Sequence, residues 1–480
     1  MSYLRRELVI NISFLLLANL LIKPYYIFFV ERNVQNEAGA EAWGLYFTLF
    51  SLSMVPQILL DLGMTNFANK EIAADKTKFE LLWKQAIWIK PILALLFFVV
   101  FLILVWAGGY IESNTRLIVW IGVNQALASF ILFLRAFISG SGRYRWDSFL
   151  SVADKFVFIL LFVGLFLIDQ RPIDRFLSLQ TSSMLVSIGI ALGLVLQTKK
   201  KTSWSLPSIS ELKSILSKGL PYALIFILMV LYCRMEPVWI DQLRQDGQLQ
   251  SGWYAAAYRL LDAANMMGFL FAGLLLPMFS SSGKKTDEIQ PLFELAMQMM
   301  FSISTVIVVV IAFNSAYIME LLYHQDQGTL LIIVIVNLLP LTINYLFTTL
   351  VTAAGRISHM NALFIISIII NILCHLILTR PYGAIGAAWS ALITQVSTVL
   401  ILGYFIHKHK LAVINFNVLK FILLSLISAI SIGWLTDQLN IGSEFKIFLQ
   451  GVLIPVIWGG FGWIPLKQIR YIFKTHRAPG

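Results

Sequence analysis

The sequence predicts an all-α polytopic membrane protein of about 14 transmembrane helices, and three observations predict it. Hydrophobic residues make up 58% of the 480-residue chain and charged residues only 13%, where an ordinary globular domain is nearer a quarter charged. About 20 apolar residues cross a bilayer as a helix, and roughly fourteen such runs follow one another, centred near residues 19, 54, 96, 128, 159, 186, 228, 266, 303, 341, 368, 394, 427 and 456. The polar breaks between them stay within about twenty residues. That is too short for a soluble catalytic or nucleic-acid-binding domain, so the function is built from helices.

The first run follows Arg5 and Arg6, as the apolar part of a signal peptide would. Its segment NISFLLLANLLIKPYYIFFV is long enough to span and lacks a small-residue cleavage site, so it reads as a retained first helix. Runs two to six follow, and then the longest polar break, QTKKKTSWSLPSISELKSILSKG at 197 to 219. Within it Ser210 is a candidate N-cap of a short interfacial helix leading into the seventh span. Gly44-Leu45-Tyr46 is matched 208 residues later by Gly252-Trp253-Tyr254. Asn124, Gly142 and Arg143 are matched 213 residues later by Asn337, Gly355 and Arg356. Two sets with nearly one offset, at equivalent points of the helix order, indicate a duplication. The expected organisation is a six-helix lobe at 1–200, a second at 201–410, and two further helices with a cytoplasmic tail at 411–480. Parallel repeats of this kind belong to transporters, with the site at the interface of the repeats.

The net charge of +11 does not imply a nucleic-acid partner, because the basic residues alternate by loop. With the N-terminus in the cytoplasm, cytoplasmic ends and loops carry 23 of the 36 Lys and Arg residues and the opposite side carries seven. The positive-inside rule then puts both termini in the cytoplasm, with an even number of spans. Cys233 and Cys374 fall within apolar runs and read as core residues, outside any disulfide or metal site.

Six basic residues remain inside the runs: Lys23, Lys90, Arg135, Lys155, Arg234 and Arg259. Lys90, Arg135 and Lys155 lie near cytoplasmic ends, where a long side chain snorkels to the headgroups, and Asp154 can pair with Lys155. Lys23, Arg234 and Arg259 lie farther in. Internal pairing is one account of them, Arg259 with Asp262 and Arg234 with Glu236.

Polar stripes supply another account. Tyr254, Tyr258, Arg259, Asp262 and Asn265 fall within about 140° of arc on the eighth helix. Tyr46, Ser53, Gln57 and Asp61 fall within about 80° on the second, and Asn11, Asn19, Lys23 and Tyr26 within about 120° on the first. Such stripes facing lipid are costly, which favours a hydrated, net-basic cavity between the halves with Glu236 tuning or latching Arg234. Pro24, Pro56, Pro237, Pro277 and Pro340 kink their helices, as static bends or as hinges.

No phosphate-binding P-loop, zinc-type histidine spacing or nucleophile elbow occurs, so the chain reads as a transporter and not an enzyme. His324, His359, His407, His409 and His476 lie in loops or at helix ends. His375 alone is well inside an apolar run, packed or relaying a proton.

DLGMTNFANKEIA at 61 to 73, SGSGRYRWDSFLSVADKFVFILL after the fourth helix, GLPYALIFILMVLYCRMEPVWIDQL and GWYAAAYRLLDAANMMGFLFAGLLLPMFS resemble the corresponding segments of Wzx-type polysaccharide flippases. These belong to the multidrug, oligosaccharidyl-lipid and polysaccharide (MOP) exporter superfamily. The likeness is strongest over helices one to eight and loosest after about residue 410. It implies two six-helix lobes in a V cycling between inward-open and outward-open states. The implied substrate is an oligosaccharide on undecaprenyl pyrophosphate, moved to the outer leaflet of a bacterial inner (plasma) membrane for O-antigen, lipopolysaccharide or capsule synthesis, with polymerase machinery as a partner beside the lipid bilayer. The family's cationic cavity residues carry over onto Lys23, Arg234 and Arg259. No cofactor is implied, and a coupling ion, H+ or Na+, is left open. By analogy with the related lipid II flippase, the last two helices form a groove for the lipid tail. The alternatives are a cation-coupled multidrug exporter, a lipid II flippase, or a membrane glycosyltransferase or polymerase. The first would favour an acidic chamber, and the last a large outer loop.

Overall fold

A computed structural model of the chain describes residues 18–19, 21–165, 172–198, 227–281 and 286–460. Every regular element among them is helical. The centres of all the expected spans fall on described helical residues, although only parts of the first and seventh spans are described. Asn11, Ser210 and the C-terminal tail lie outside the described residues. Among the described residues eight helices are long and apolar enough to cross a membrane, or nine if a pair bent by 52° at Val55 counts as one span. The fold is that of an all-α polytopic membrane protein.

The chain divides into two compact units, Met1–Ala255 and Ala256–Gly480. The division falls inside the helix Gly247–Ser281, beyond the linker that the sequence marks at 197 to 219.

In the first unit the core forms where Met64, Ile72 and Phe79 meet Trp83, Phe133, Phe137 and Leu150. Phe79 and Phe133 each pack on Phe137, with centroids 5.2 and 4.8 Å away. The helix Phe79–Ala107 buries Trp83, Ala86, Ile89, Leu93, Phe97 and Phe101 and exposes Trp88, Leu95, Leu102 and Trp106. Both faces are apolar, because one meets protein and the other meets lipid.

The second span is broken. Pro56 brings no amide hydrogen to the helix, and a five-residue 3-10 turn, Pro56–Leu60, follows. Leu62 (φ 44°) and Gly63 (φ 81°) then take left-handed conformations, and a new helix, Met64–Ala74, begins. Tyr46, Ser53, Gln57 and Asp61 therefore do not lie on one continuous helix: Asp61, past the break, turns to Lys90, while Tyr46, Ser53 and Gln57 stay together around Gln125.

Close to the start of that span, two helices in the first unit touch backbone to backbone. A Cβ on Gly44 would lie 1.8 Å from the Gln248 carbonyl oxygen, and one on Gly252 would lie 1.8 Å from that of Ala40. Gly44 and Ala40 are equivalent to Gly252 and Gln248 at the offset of 208, so the crossing is self-complementary. Small residues permit such an approach between membrane helices. Gln35 Nε2 donates to the Gly252 carbonyl at 3.1 Å beside it.

The second repeat set recurs as hydrogen bonds. In the first unit Ser141 N–H donates to Phe137 O, Gly142 N–H to Ser139 O and Arg143 N–H to Ile138 O. In the second unit the pattern returns 213 residues on, from Ala354 to Leu350, Gly355 to Thr352 and Arg356 to Val351. Each is a Schellman ending, which needs a left-handed residue. Gly142 (φ 84°) and Gly355 (φ 72°) supply it.

In the second unit, Phe416–Asp437 and Ser443–Gly460 pack on Thr286–Phe313 through Val309, Ala429, Ile432, Ile454 and Trp458. A buried polar chain ties them: Asn314 Nδ2 donates to Gln450 Oε1, and Gln450 Nε2 to Thr436 Oγ1, both at 2.8 Å. Interhelical bonds of this kind contribute about 0.6 kcal/mol each inside a membrane.

Candidate functional site

Three intramembrane cations of the first unit's helices, Lys90, Arg135 and Lys155, each carry a carboxylate. Lys90 Nζ lies 2.8 Å from Asp61 Oδ1 and donates to the Leu60 carbonyl at 3.0 Å. Asp61 also caps the restarted helix, accepting from the Thr65 N–H at 3.2 Å. Breaking the second span exposes carbonyls and amides with no helical partner, and this pair takes them up. Asp61 thus closes a break beside the core, and Lys90 binds there instead of snorkelling. Arg135 Nε lies 2.8 Å from Asp147 Oδ1, and Lys155 Nζ lies 3.2 Å from Asp154 Oδ2.

Lys23 differs. It is half-buried, and the charged groups near enough to act on it are Lys155, Asp154 and Arg135. It makes no ion pair among the described residues. Two of its three neighbours are cations, and the acid among them already holds Lys155. The cluster therefore keeps one positive charge over. A Lys at mid-membrane costs about 2.5–3.5 kcal/mol, and the one acid that acts on Lys23, Asp154, is shared with Lys155.

Local structure sets this cluster. After Pro24 the first helix widens into a π-helical turn, Tyr26–Glu31, a distortion common at functional sites. Tyr26 is buried against Phe158, edge to face at 5.3 Å. Lys155 Nζ sits 4.7 Å over the centroid of the Tyr26 ring, a cation–π contact that holds the ammonium in place. Asn19 donates to Ser151 Oγ at 3.1 Å, one turn from Lys155.

Arg234 and Glu236 flank a second break. The helical stretch from 227 ends at Cys233, and the short helix Glu236–Leu243 restarts with Pro at its beginning. Arg234 N–H still closes on Val230 O at 3.0 Å. Glu236 is 3% exposed and opens the new helix, where the dipole favours a negative charge. The Pro237 carbonyl accepts from Ser251 at 3.0 Å and from Thr48 at 3.4 Å, which fixes the restarted helix to Ala40–Met54. Tyr254, also in this unit, is buried.

In the second unit Arg259 Nη1 lies 3.5 Å from Asp262 Oδ2, three residues on along the same helix. Tyr258 is half-buried. Asn265 Nδ2 donates to the Tyr345 hydroxyl at 3.1 Å.

Sequence reasoning named Gln57 as a cavity residue but missed the amides it meets, Asn124, Gln125 and Gln180. Gln57 Nε2 donates to Gln125 Oε1 at 2.9 Å, and Asn124 Nδ2 donates to Gln180 Oε1 at 3.0 Å. With Tyr46, Phe50 and Lys155 these line a 200 Å³ pocket in the first unit. The available signal was several carboxamides in otherwise apolar spans. Among the described residues no group of three or more His, Cys, Asp or Glu side chains has metal-ligand geometry.

A family model described as polysaccharide biosynthesis protein matches residues 8–282. No curated protein matches the chain significantly in sequence. Among solved structures, a lipid II flippase MurJ in an inward closed conformation is similar at TM-score 0.70 and 15% identity, over 95% of this chain and 99% of that one. An inward-facing multidrug resistance MATE family transporter is similar at 0.62 and 15% identity, over 84% and 98%. A Pyrococcus furiosus MOP superfamily transporter, described as having a binding pocket of reverse polarity, is similar at 0.55 and 15% identity, over 82% and 93%.

Proposed function

Because the chain belongs to the polysaccharide biosynthesis protein family of the MOP superfamily, we propose that it is a flippase for an oligosaccharide carried on undecaprenyl pyrophosphate. It moves that substrate from the cytoplasmic to the outer leaflet by alternating access, for a surface polysaccharide of O-antigen or capsule type. The observation that carries this reading is Lys23, a membrane-embedded ammonium with two cations beside it and no carboxylate of its own among the described residues.

Such a group is costly to keep unless a ligand takes it up. The ligand it suits is anionic, and a pyrophosphate is a dense anion with many acceptor oxygens. In a confined, poorly hydrated site, Lys23 and Lys155 offset the loss of its hydration. Arg135 adds to the field, with its own carboxylate tempering it. The same surplus opposes a cationic drug, which would need an acidic chamber. Lys23 is a binding residue in this reading and the chain performs no bond chemistry, so transport is its whole activity.

Depletion of the protein in its host tests the reading. Lipid-linked oligosaccharide should accumulate on the cytoplasmic leaflet, and a plasmid bearing Lys23→Met should not clear it although the variant reaches the membrane. Accumulation of lipid II in its place would reassign the cargo to peptidoglycan precursor. Clearance by Lys23→Met would remove this lysine from the site.

A further inference from the structure

The amide-lined pocket of the first unit is adjacent to the Lys23 cluster, and one side chain belongs to both. Lys155 rests over the Tyr26 ring on one side and lines the 200 Å³ pocket on the other. The remaining polar lining is Gln57, Asn124, Gln125 and Gln180, with Tyr46 as an aromatic wall. The rest of the lining is apolar, as is usual for a small-molecule site with a few placed polar groups.

The amides are held from behind. Gln125 Nε2 donates to Ser53 Oγ at 2.9 Å, and Ser53 in turn to the Phe50 carbonyl at 2.6 Å. Asn124 Nδ2 donates to the Leu177 carbonyl at 3.2 Å, and Asn124 Oδ1 accepts from Thr181 Oγ1 at 2.6 Å. Gln125 and Asn124 then each hold one front amide, Gln57 through its nitrogen and Gln180 through its oxygen. What is left over is complementary. Among the described residues the Gln180 Nε2 group donates to nothing and Gln57 Oε1 accepts from nothing. Their positions are fixed by satisfied partners, both residues line the pocket, and neither atom is fully buried.

An oriented donor, an oriented acceptor, a cation and an aromatic face around a small cavity match a sugar ring. Each hydroxyl of a pyranose both donates and accepts, while its C–H face packs on a flat ring. An inorganic cation would meet Lys155, and a purely apolar chain would leave the amides without partners at a cost of about 1–3 kcal/mol each.

We propose that this pocket holds one sugar of the lipid-linked substrate, namely the residue bonded directly to the pyrophosphate. The inference rests on the flippase reading above and adds the place where the glycan is read. The link is Lys155: it serves the phosphate cluster and the pocket together, and only the first sugar is one glycosidic bond from phosphate.

The test uses the full chain in lipid nanodiscs and two probes, undecaprenyl pyrophosphate and the lipid-linked oligosaccharide recovered from depleted cells, with binding measured by native mass spectrometry. The unaltered protein should prefer the glycosylated probe. Gln180→Leu and Gln57→Leu should each weaken that probe about tenfold, the value of one lost hydrogen bond in a closed site, and leave the bare pyrophosphate within twofold. Equal binding of the two probes by the unaltered protein would overturn the proposal without recourse to variants, as would an equal loss of both probes in Gln180→Leu. Failure of the flippase reading has a separate signature, since Lys23→Met would then leave the bare pyrophosphate as tightly bound as before.

Discussion

Charges decide most at the scale of single residues. Lys23→Met should abolish transport with no loss of folded protein, because the side chain stabilises no carboxylate among the described residues; thermal melting in detergent should be unchanged or slightly higher. Arg234→Leu and Arg259→Leu should also abolish transport with expression retained, measured as clearance of accumulated lipid-linked oligosaccharide. Full activity in both would remove them from the site. Asp61→Asn should behave in the opposite way. It removes the partner of Lys90 at 2.8 Å and weakens the cap on Thr65, so stability should fall by up to about 3–5 kcal/mol. The double change Asp61→Asn with Lys90→Met should recover part of that loss, since no lone charge is left behind. Melting midpoints of the three variants decide the matter.

Elements are placed by their breaks and close approaches. Gly44→Ala and Gly252→Ala should each force Ala40–Met54 away from the helix that begins at Gly247, because either Cβ would meet a carbonyl at 1.8 Å. A clear loss of stability is expected from each, and a disulfide across the crossing, introduced between neighbouring positions, should report the separation as slower closure.

The short helix Glu236–Leu243 is tied at its far end as well. Tyr110 donates to the Asp241 carboxylate, and Gln242 Nε2 donates to Tyr110 at 2.8 Å and to the Gly108 carbonyl at 3.0 Å. Burial pushes the Asp241 carboxyl above its ordinary range, with the Tyr110 hydrogen bond opposing. A carboxyl raised on folding contributes stability that is complete below its unfolded pKa and is lost as pH rises through the folded one. Melting temperature should therefore fall as pH rises through that window, and Asp241→Asn should flatten the fall.

Over the whole molecule, loop charge predicts orientation: thiol labelling of intact cells should reach a cysteine placed at Arg244 and spare one placed at Lys76. How much of this could be read beforehand varies by feature. The helices were legible because a run of about 20 apolar residues has one stable form in lipid. The matched helix endings were legible in Gly142 and Gly355, since a Schellman ending demands a left-handed residue and glycine takes it readily. The broken second span was partly legible: Pro56 and Gly63 announce a break, but a polar stripe drawn at 100° per residue runs straight through it. Lys90 and Arg135 look like snorkelling side chains in a linear sequence, and only three-dimensional packing brings Asp61 and Asp147 to them.

The amide pocket was the least legible feature. Gln57, Asn124, Gln125 and Gln180 come from three spans, and each alone is an ordinary polar residue in an apolar run. Helical class, span order and superfamily were therefore legible in the amino acids in line, because each depends on local chemistry: transfer into lipid or backbone freedom. Which cations keep a carboxylate and which stands over, and which amides meet around a cavity, were settled by folding. In a membrane both faces of a helix are apolar, so the pattern along the chain does not say which face turns inward. Packing among helices supplies that answer.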